Sequence, residues 1–267
     1  MTQTTTSADG TTIAYEKNGS GPAIIVIGGA FNTRQSAADI AGLLAAHFSV
    51  YTYDRRGRGD SRDASASAGG SVASDADLIA RELEDLAAVI AAAGGSAALY
   101  GHSSGAAIAL EAAASGLPVT KLATYEPPLV TPDPSVGSAE EWRASIRAAV
   151  EADDRDRAAR LFLQGTGLPL PAMEFMVQQP WWPGMLSVAH TLPSDVAMLG
   201  DGTVPAERYA AITVPTLAVS GSDSAWATDV TTRLGEVIPG AKTVIIQAQG
   251  HDVDAATLAP VLTDFFL

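Results

Sequence analysis

Ser96-Ala97-Ala98-Leu99-Tyr100-Gly101-His102-Ser103-Ser104-Gly105-Ala106-Ala107-Ile108-Ala109-Leu110 is the stretch around which the chain is organised. A short apolar run compatible with a buried strand ends in Gly101-His102-Ser103-Ser104-Gly105, and an Ala-rich segment of good helix propensity follows at once. In a strand-turn-helix setting, G-x-S-x-G describes a turn so sharp that its middle residue takes a strained backbone conformation. Side chains two positions to either side would collide with the neighbouring strand and helix, and Gly101 and Gly105 carry none. Ser103 is therefore expected to present its hydroxyl at the carboxyl end of a sheet. The five-letter pattern alone also fits an ordinary Gly/Ser turn, so its meaning rests on the residues around it.

Upstream, Thr11 to Glu16 alternates like a half-exposed strand, and Ala23-Ile24-Ile25-Val26-Ile27 has the continuous β-branched character of a strand buried on both faces. That strand runs into Gly28-Gly29-Ala30-Phe31-Asn32, where two glycines allow backbone N–H groups to approach a ligand closely. Phe48 to Tyr53 is a further strand, and Ile79, Leu83, Leu86 and Ile90 form an apolar stripe on a helix closed by Gly94-Gly95. Val119 to Tyr125 follows the Ala-rich helix as another strand. Strict alternation of strand and helix implies parallel βαβ units with right-handed crossovers.

The rhythm breaks at Glu126-Pro127-Pro128 and stays helical to about residue 211, with Ser138-Ala139-Glu140-Glu141 as a capping box. An inserted helical cap over 127–211 is expected, between core parts 1–126 and 212–267. Sheet rhythm resumes with Val214 to Gly221, a helix, Thr243 to Ile246, and a last helix from about Ala255.

The chain has 267 residues and no cysteine, so one large α/β domain with an inserted cap must hold together without disulfides. A formal net charge of -14 argues against a general nucleic-acid binder, which needs a basic stripe, and against strongly anionic substrates. The dense basic cluster Arg55, Arg56 and Arg58 is flanked by Asp54, Asp60 and Ser61 and reads as an internally bonded turn, ahead of a small-residue loop over 63–74. Met1 to Gly10 lacks the basic flank and apolar run of a secretory signal, and no segment approaches the roughly 18 apolar residues of a membrane span. A soluble cytoplasmic protein acting on a small molecule is expected, with no nucleic-acid or membrane partner, no metal and no cofactor. Its oligomeric state stays open.

Taken together, Gly28-Gly29, Tyr53-Asp54-Arg55-Arg56-Gly57-Arg58-Gly59-Asp60-Ser61, the 101–105 turn and Gly250-His251-Asp252 resemble the α/β-hydrolase family in order and spacing over essentially the whole chain. The resemblance is to its serine-nucleophile esterase, lactonase and haloperoxidase branch. It implies a mostly parallel twisted sheet flanked by helices, with Ser103 as nucleophile and His251 as general base. Of the other histidines, His47 lies at a helix-strand junction, His102 sits inside the turn facing away from the hydroxyl, and His190 belongs to the cap, where it is a packed residue or a substrate contact. The resemblance further implies an oxyanion hole from the Ala30 and Ser104 amides, although Gly28 stands where many relatives have His. Most relatives carry the acid three residues after the glycine ending the penultimate strand, which here is Ser224, with Asp223 one position earlier. Some relatives carry it on the preceding strand, whose end here is Glu126. Glu126 is preferred, with Asp223 as the alternative.

A serine at the nucleophile position argues against the epoxide hydrolases and haloalkane dehalogenases of this fold, which use Asp. The resemblance leaves acyl transfer to water from a small, largely apolar ester or lactone. A cofactor-free lyase or cyclase, or a non-catalytic ligand-binding relative, is the alternative. Trp181, Trp182, Met173, Phe175 and Met176 are expected to contribute to an apolar pocket wall.

Overall fold

The computed structural model describes residues 1–64 and 73–267, so most of the loop expected over 63–74 lies outside the described residues. Strands β1 Gln3–Thr6, β2 Thr12–Asn18, β3 Ala23–Ile27, β4 Ser49–Tyr53, β5 Ala97–His102, β6 Val119–Tyr125, β7 Thr216–Gly221 and β8 Lys242–Ile246 form one sheet. Its order is β1-β2-β4-β3-β5-β6-β7-β8; β2 pairs antiparallel with β1 and β4, and all later pairings are parallel. Strand β1 has no counterpart in the sequence reading. Gln3-Thr4-Thr5-Thr6 is polar on both faces and largely exposed at the sheet edge, so it lacks the alternation that marks a half-buried strand.

Helices α1 Ala38–Leu44, α2 Asp75–Ala92 and α3 Ser104–Ala114 follow β3, β4 and β5. Between β6 and β7 come α4 Ala139–Glu151, α5 Arg155–Gly165, α6 Leu170–Met176, α7 Trp182–Val188, α8 Leu192–Met198 and α9 Ala206–Tyr209; α10 Ala225–Val237 and α11 Ala255–Phe266 close the chain. The expected capping box is present at α4, where the Ser138 hydroxyl accepts from the Glu141 N–H and the Glu141 carboxylate from the Ser138 N–H.

Alternate residues of the central strands serve opposite faces. Ile24 and Val26 pack with Ile40, Leu44, Leu258 and Phe266 of α1 and α11. Ile25 and Ile27 pack with Leu86, Ile108, Val196 and Leu234 of α2, α3, α8 and α10. This two-sided burial accounts for the uninterrupted apolar runs. The α2 face is rotated from the expected stripe: Leu78, Glu82, Asp85, Leu86, Val89 and Ile90 are buried, while Ile79 and Leu83 are half-buried. Two carboxylates lie inside because buried arginines meet them.

Candidate active site

Ser103 ends the β5 turn with φ 57° and ψ −128° and opens α3. A Cβ on Gly101 would stand 2.4 Å from the Gly105 carbonyl oxygen, and one on Gly105 would stand 2.2 Å from that of Ile27. The collisions expected with helix and strand are therefore the reason both positions are glycine. The Ser103 N–H donates to the Tyr125 carbonyl at 2.9 Å, which ties the turn to the end of β6.

Glu126 follows β6 and is fully buried, with φ 46° just before Pro127. Its two carboxylate oxygens have separate tasks: Oε1 accepts from the Gly221 N–H at 2.9 Å, and Oε2 lies 2.8 Å from His251 Nδ1. A carboxylate oxygen accepts, so Nδ1 carries the proton and Nε2 of the neutral ring keeps its lone pair. The His251 side chain is 41% exposed, whereas its partner is sealed. Asp223, at the end of β7, is exposed; its carboxylate accepts from the Ser222 hydroxyl at 3.1 Å and its N–H donates to Gln249 O at 3.0 Å. The fold thus brings Glu126 to the imidazole and leaves Asp223 in its own loop.

Beside Ser103, the chain after β3 makes a tight turn over Gly29-Ala30-Phe31-Asn32, closed by a 3.4 Å bond from the Asn32 N–H to Gly29 O. Phe31 takes φ 62° there and packs edge-on to Phe162 of α5 at 5.4 Å. A Cβ on Gly29 would stand 2.7 Å from Ser103 Cβ, so only glycine lets the turn lie this close. Ala30 sits in this turn. The Ser104 N–H belongs to the first turn of α3, whose amides form the positive end of the helix dipole.

The turn over 54–61 is internally bonded as expected, with the Asp60 N–H on the Asp54 carboxylate, the Ser61 hydroxyl on the Asp54 carbonyl and the Arg58 N–H on the Arg55 carbonyl, but its guanidinium groups do not close on it. Asp54 binds Arg34 and the Asp60 N–H, and the three arginines reach outward. Arg55 pairs with Glu82 of α2 and Asp195 of α8, Arg56 with Asp85 and Asp9, and Arg58 with Asp195 and the Gly29 carbonyl. Burial opposes ionisation of Asp195, but the Arg55 and Arg58 charges and the Ser104 hydroxyl outweigh it and hold its carboxyl below the usual aspartate range.

His190 packs against the turn: a Cβ on Gly57, which has φ 73°, would meet His190 Nε2 at 3.2 Å. Among the aromatic and methionine residues expected at a pocket wall, Met173 and Trp182 are buried and Met176 half-buried, but Phe175 and Trp181 are 66% and 47% exposed. Trp182 Nε1 donates to Asp156, which ties α7 to α5.

The chain matches the model of the alpha/beta hydrolase family over residues 21–261. The chain belongs to the alpha/beta hydrolase family. Among solved structures, an alpha/beta hydrolase from Sphaerobacter thermophilus DSM 20745 is 45% identical, with a TM-score of 0.88 over 99% of this chain and 100% of that one. An enol-lactonase from Burkholderia xenovorans LB400 has a TM-score of 0.71 at 20% identity, covering 97% of both chains. An esterase from Rhodococcus sp. ECU1013 has a TM-score of 0.70 at 22% identity, covering 99% of this chain and 98% of the other. No curated protein matches by sequence.

Two residues of this alpha/beta hydrolase beside Ser103 and Glu126 have contacts that escape sequence reasoning. His102 Nε2 donates to the His251 carbonyl at 2.9 Å, and the Tyr125 hydroxyl donates to the Gly250 carbonyl at 2.6 Å. The two rings stack at 5.6 Å, and together they hold the main chain that carries His251. The one available signal is position: His102 directly precedes Ser103, and Tyr125 directly precedes Glu126. Burial and the nearby His251 ring push His102 down to about 4.

Proposed function

We propose that the protein is a serine hydrolase that cleaves a small, largely apolar ester or lactone through an acyl-enzyme on Ser103. The observation that carries this reading is the 2.8 Å bond between His251 Nδ1 and buried Glu126 Oε2, which presents Nε2 as a base of fixed tautomer. His251 takes the proton from the Ser103 hydroxyl as Oγ attacks the carbonyl carbon, and returns it to the leaving oxygen as the tetrahedral intermediate collapses. Water, deprotonated by the same nitrogen, then attacks the acyl carbon and releases Ser103. Glu126 orients the ring and stabilises the imidazolium, and the Ala30 and Ser104 amides receive the oxyanion.

Residues 127–211 act as a cap in this reading. Phe162 against Phe31, and Asp195 against Ser104, supply the support, since both contacts join the helical segment to the loops beside Ser103. The apolar character of Phe31 and Phe162, and of Trp226 at 5.9 Å from the His251 ring, favours an apolar acyl or alcohol portion. The esterase and enol-lactonase among the similar structures accord with an ester or lactone bond.

A fluorophosphonate probe is expected to label Ser103, with p-nitrophenyl acetate hydrolysed by the wild type and not by Ser103→Ala. Folded wild-type protein that neither labels nor turns over a panel of esters and lactones would overturn the reading.

A further inference from the structure

Arg58 and Asp195 lie outside the proposed triad, yet they touch the residues on both sides of the proposed oxyanion hole. Arg58 is fully buried, and its Nη1 donates to the Gly29 carbonyl at 2.7 Å and to the Asn32 carbonyl at 3.2 Å. These are the first and last residues of the turn that contains Ala30 and the left-handed Phe31. The guanidinium therefore clamps both ends of a turn whose strained residue would otherwise favour relaxation. Arg58 is itself fixed by Asp195 Oδ2 at 2.6 Å and by Thr191 Oγ1 at 3.0 Å, both from the helical segment between β6 and β7.

The Gly29 carbonyl and the Ala30 N–H belong to one peptide unit. That unit is trans, so the two groups point in opposite directions. Holding the carbonyl on Arg58 turns the Ala30 N–H away from the guanidinium, and withdrawal of electron density toward the cation makes that N–H a stronger donor. At the other donor, the Ser104 hydroxyl donates to Asp195 Oδ1 at 2.7 Å, and the same oxygen accepts from Arg55 Nη1 at 2.5 Å. One carboxylate thus holds Ser104 directly and the Gly29-Ala30 peptide through Arg58.

Resting on the serine-hydrolase reading, we propose that Arg58 and Asp195 are positioning residues for the oxyanion hole, setting the direction and donor strength of the Ala30 amide and tying it to the helical segment. Removing a whole donor costs roughly 10²–10³ in kcat. Loss of its orientation is expected to cost less, on the order of 10- to 100-fold.

The test uses Arg58→Lys, which keeps the buried charge balance but cannot span the carbonyls, Thr191 and Asp195 at once, together with Arg58→Met. Arg56→Met is the control: it breaks the buried pair with Asp85 without touching either loop. Both Arg58 variants are expected to lower kcat on p-nitrophenyl acetate and weaken a trifluoromethyl ketone, which forms an oxyanion on the serine, by similar factors with KM little changed. Arg56→Met should retain both parameters even if it melts earlier. The Ala30 amide nitrogen resonance should move in Arg58→Lys by more than that of Ser104. Retained kcat and ketone affinity in the Arg58 variants, equal losses in Arg56→Met, or an unmoved Ala30 resonance would each overturn the inference. Failure of the wild type to be labelled at Ser103 would instead overturn the hydrolytic reading and the catalytic half of this one, while the Ala30 resonance still decides whether Arg58 sets the peptide.

Discussion

Two ionic groups meet the Ser103 turn, and they are built differently. Glu126 is sealed but pairs with an imidazole that is 41% exposed. Arg55, Arg58, Glu82 and Asp195 have side chains no more than 2% exposed and balance two positive against two negative charges. Guanidinium groups do not deprotonate in the working range, so Arg55 and Arg58 keep their charges and the second group serves as fixed geometry. On the proposed mechanism the difference assigns proton movement to the first pair and loop positioning to the second group.

Substitutions should separate the two groups by what they damage. On the proposed mechanism the largest effect belongs to Ser103→Ala, with kcat expected to fall by about 10⁶ while urea unfolding stays close to that of the wild type. Glu126→Gln should follow, with a loss of about 10⁴ in steady-state rate from the wrong tautomer, and Asp223→Asn should leave the rate unchanged. A rate that depends on Asp223 and not on Glu126 would break the assignment of proton movement to the first group. Asp195→Asn acts on the second group: it removes the carboxylate that pairs with Arg58 and leaves Arg55 with Glu82, and urea titration is expected to show about 3–5 kcal/mol lost.

His102, whose Nε2 donates to the carbonyl of His251, should mark the neighbourhood of the first group by pH. Folded His102 is pushed down to about 4 from an ordinary 6.5, so the unfolded chain takes up its proton first. This contribution to stability is complete above about 6.5 and is lost as pH falls toward about 4, with a slope of up to about 1.4 kcal/mol per pH unit. His102→Gln is expected to remove that slope from urea titrations taken across this window. The smallest effect is expected from Ser138→Ala, which caps α4 and belongs to neither group, at about 1 kcal/mol of stability and no change in turnover.

The parts of the fold legible in the sequence are those governed by local sterics or by period. Gly101 and Gly105 announce the turn because a Cβ at either would enter backbone, and that collision depends on the immediate chain and its adjoining strand. The run Ala23 to Ile27 announces a doubly buried strand, and Ser138 with Glu141 announces a helix start, each from contacts within a few residues. Strand β1 is silent because a polar edge strand buries no face. Phe175 and Trp181 mislead because composition suggests apolar wall residues, while exposure depends on how α6 and α7 lie on their neighbours.

For the site, the sequence by itself determined Ser103 at a sharp turn, since local sterics carry that much, and its resemblance to the family added His251 after the last strand and two acidic candidates. Only the tertiary structure decided that Glu126 and not Asp223 meets the imidazole, because the choice depends on a side-chain direction set by a left-handed backbone at Glu126 and by the Gly221 N–H across the sheet. It alone also decided what the arginines do. Arg55 and Arg58 bind Glu82 and Asp195 from 27 to 140 residues away in the chain. Buried charges must find partners wherever the fold places them, and no local pattern records that choice.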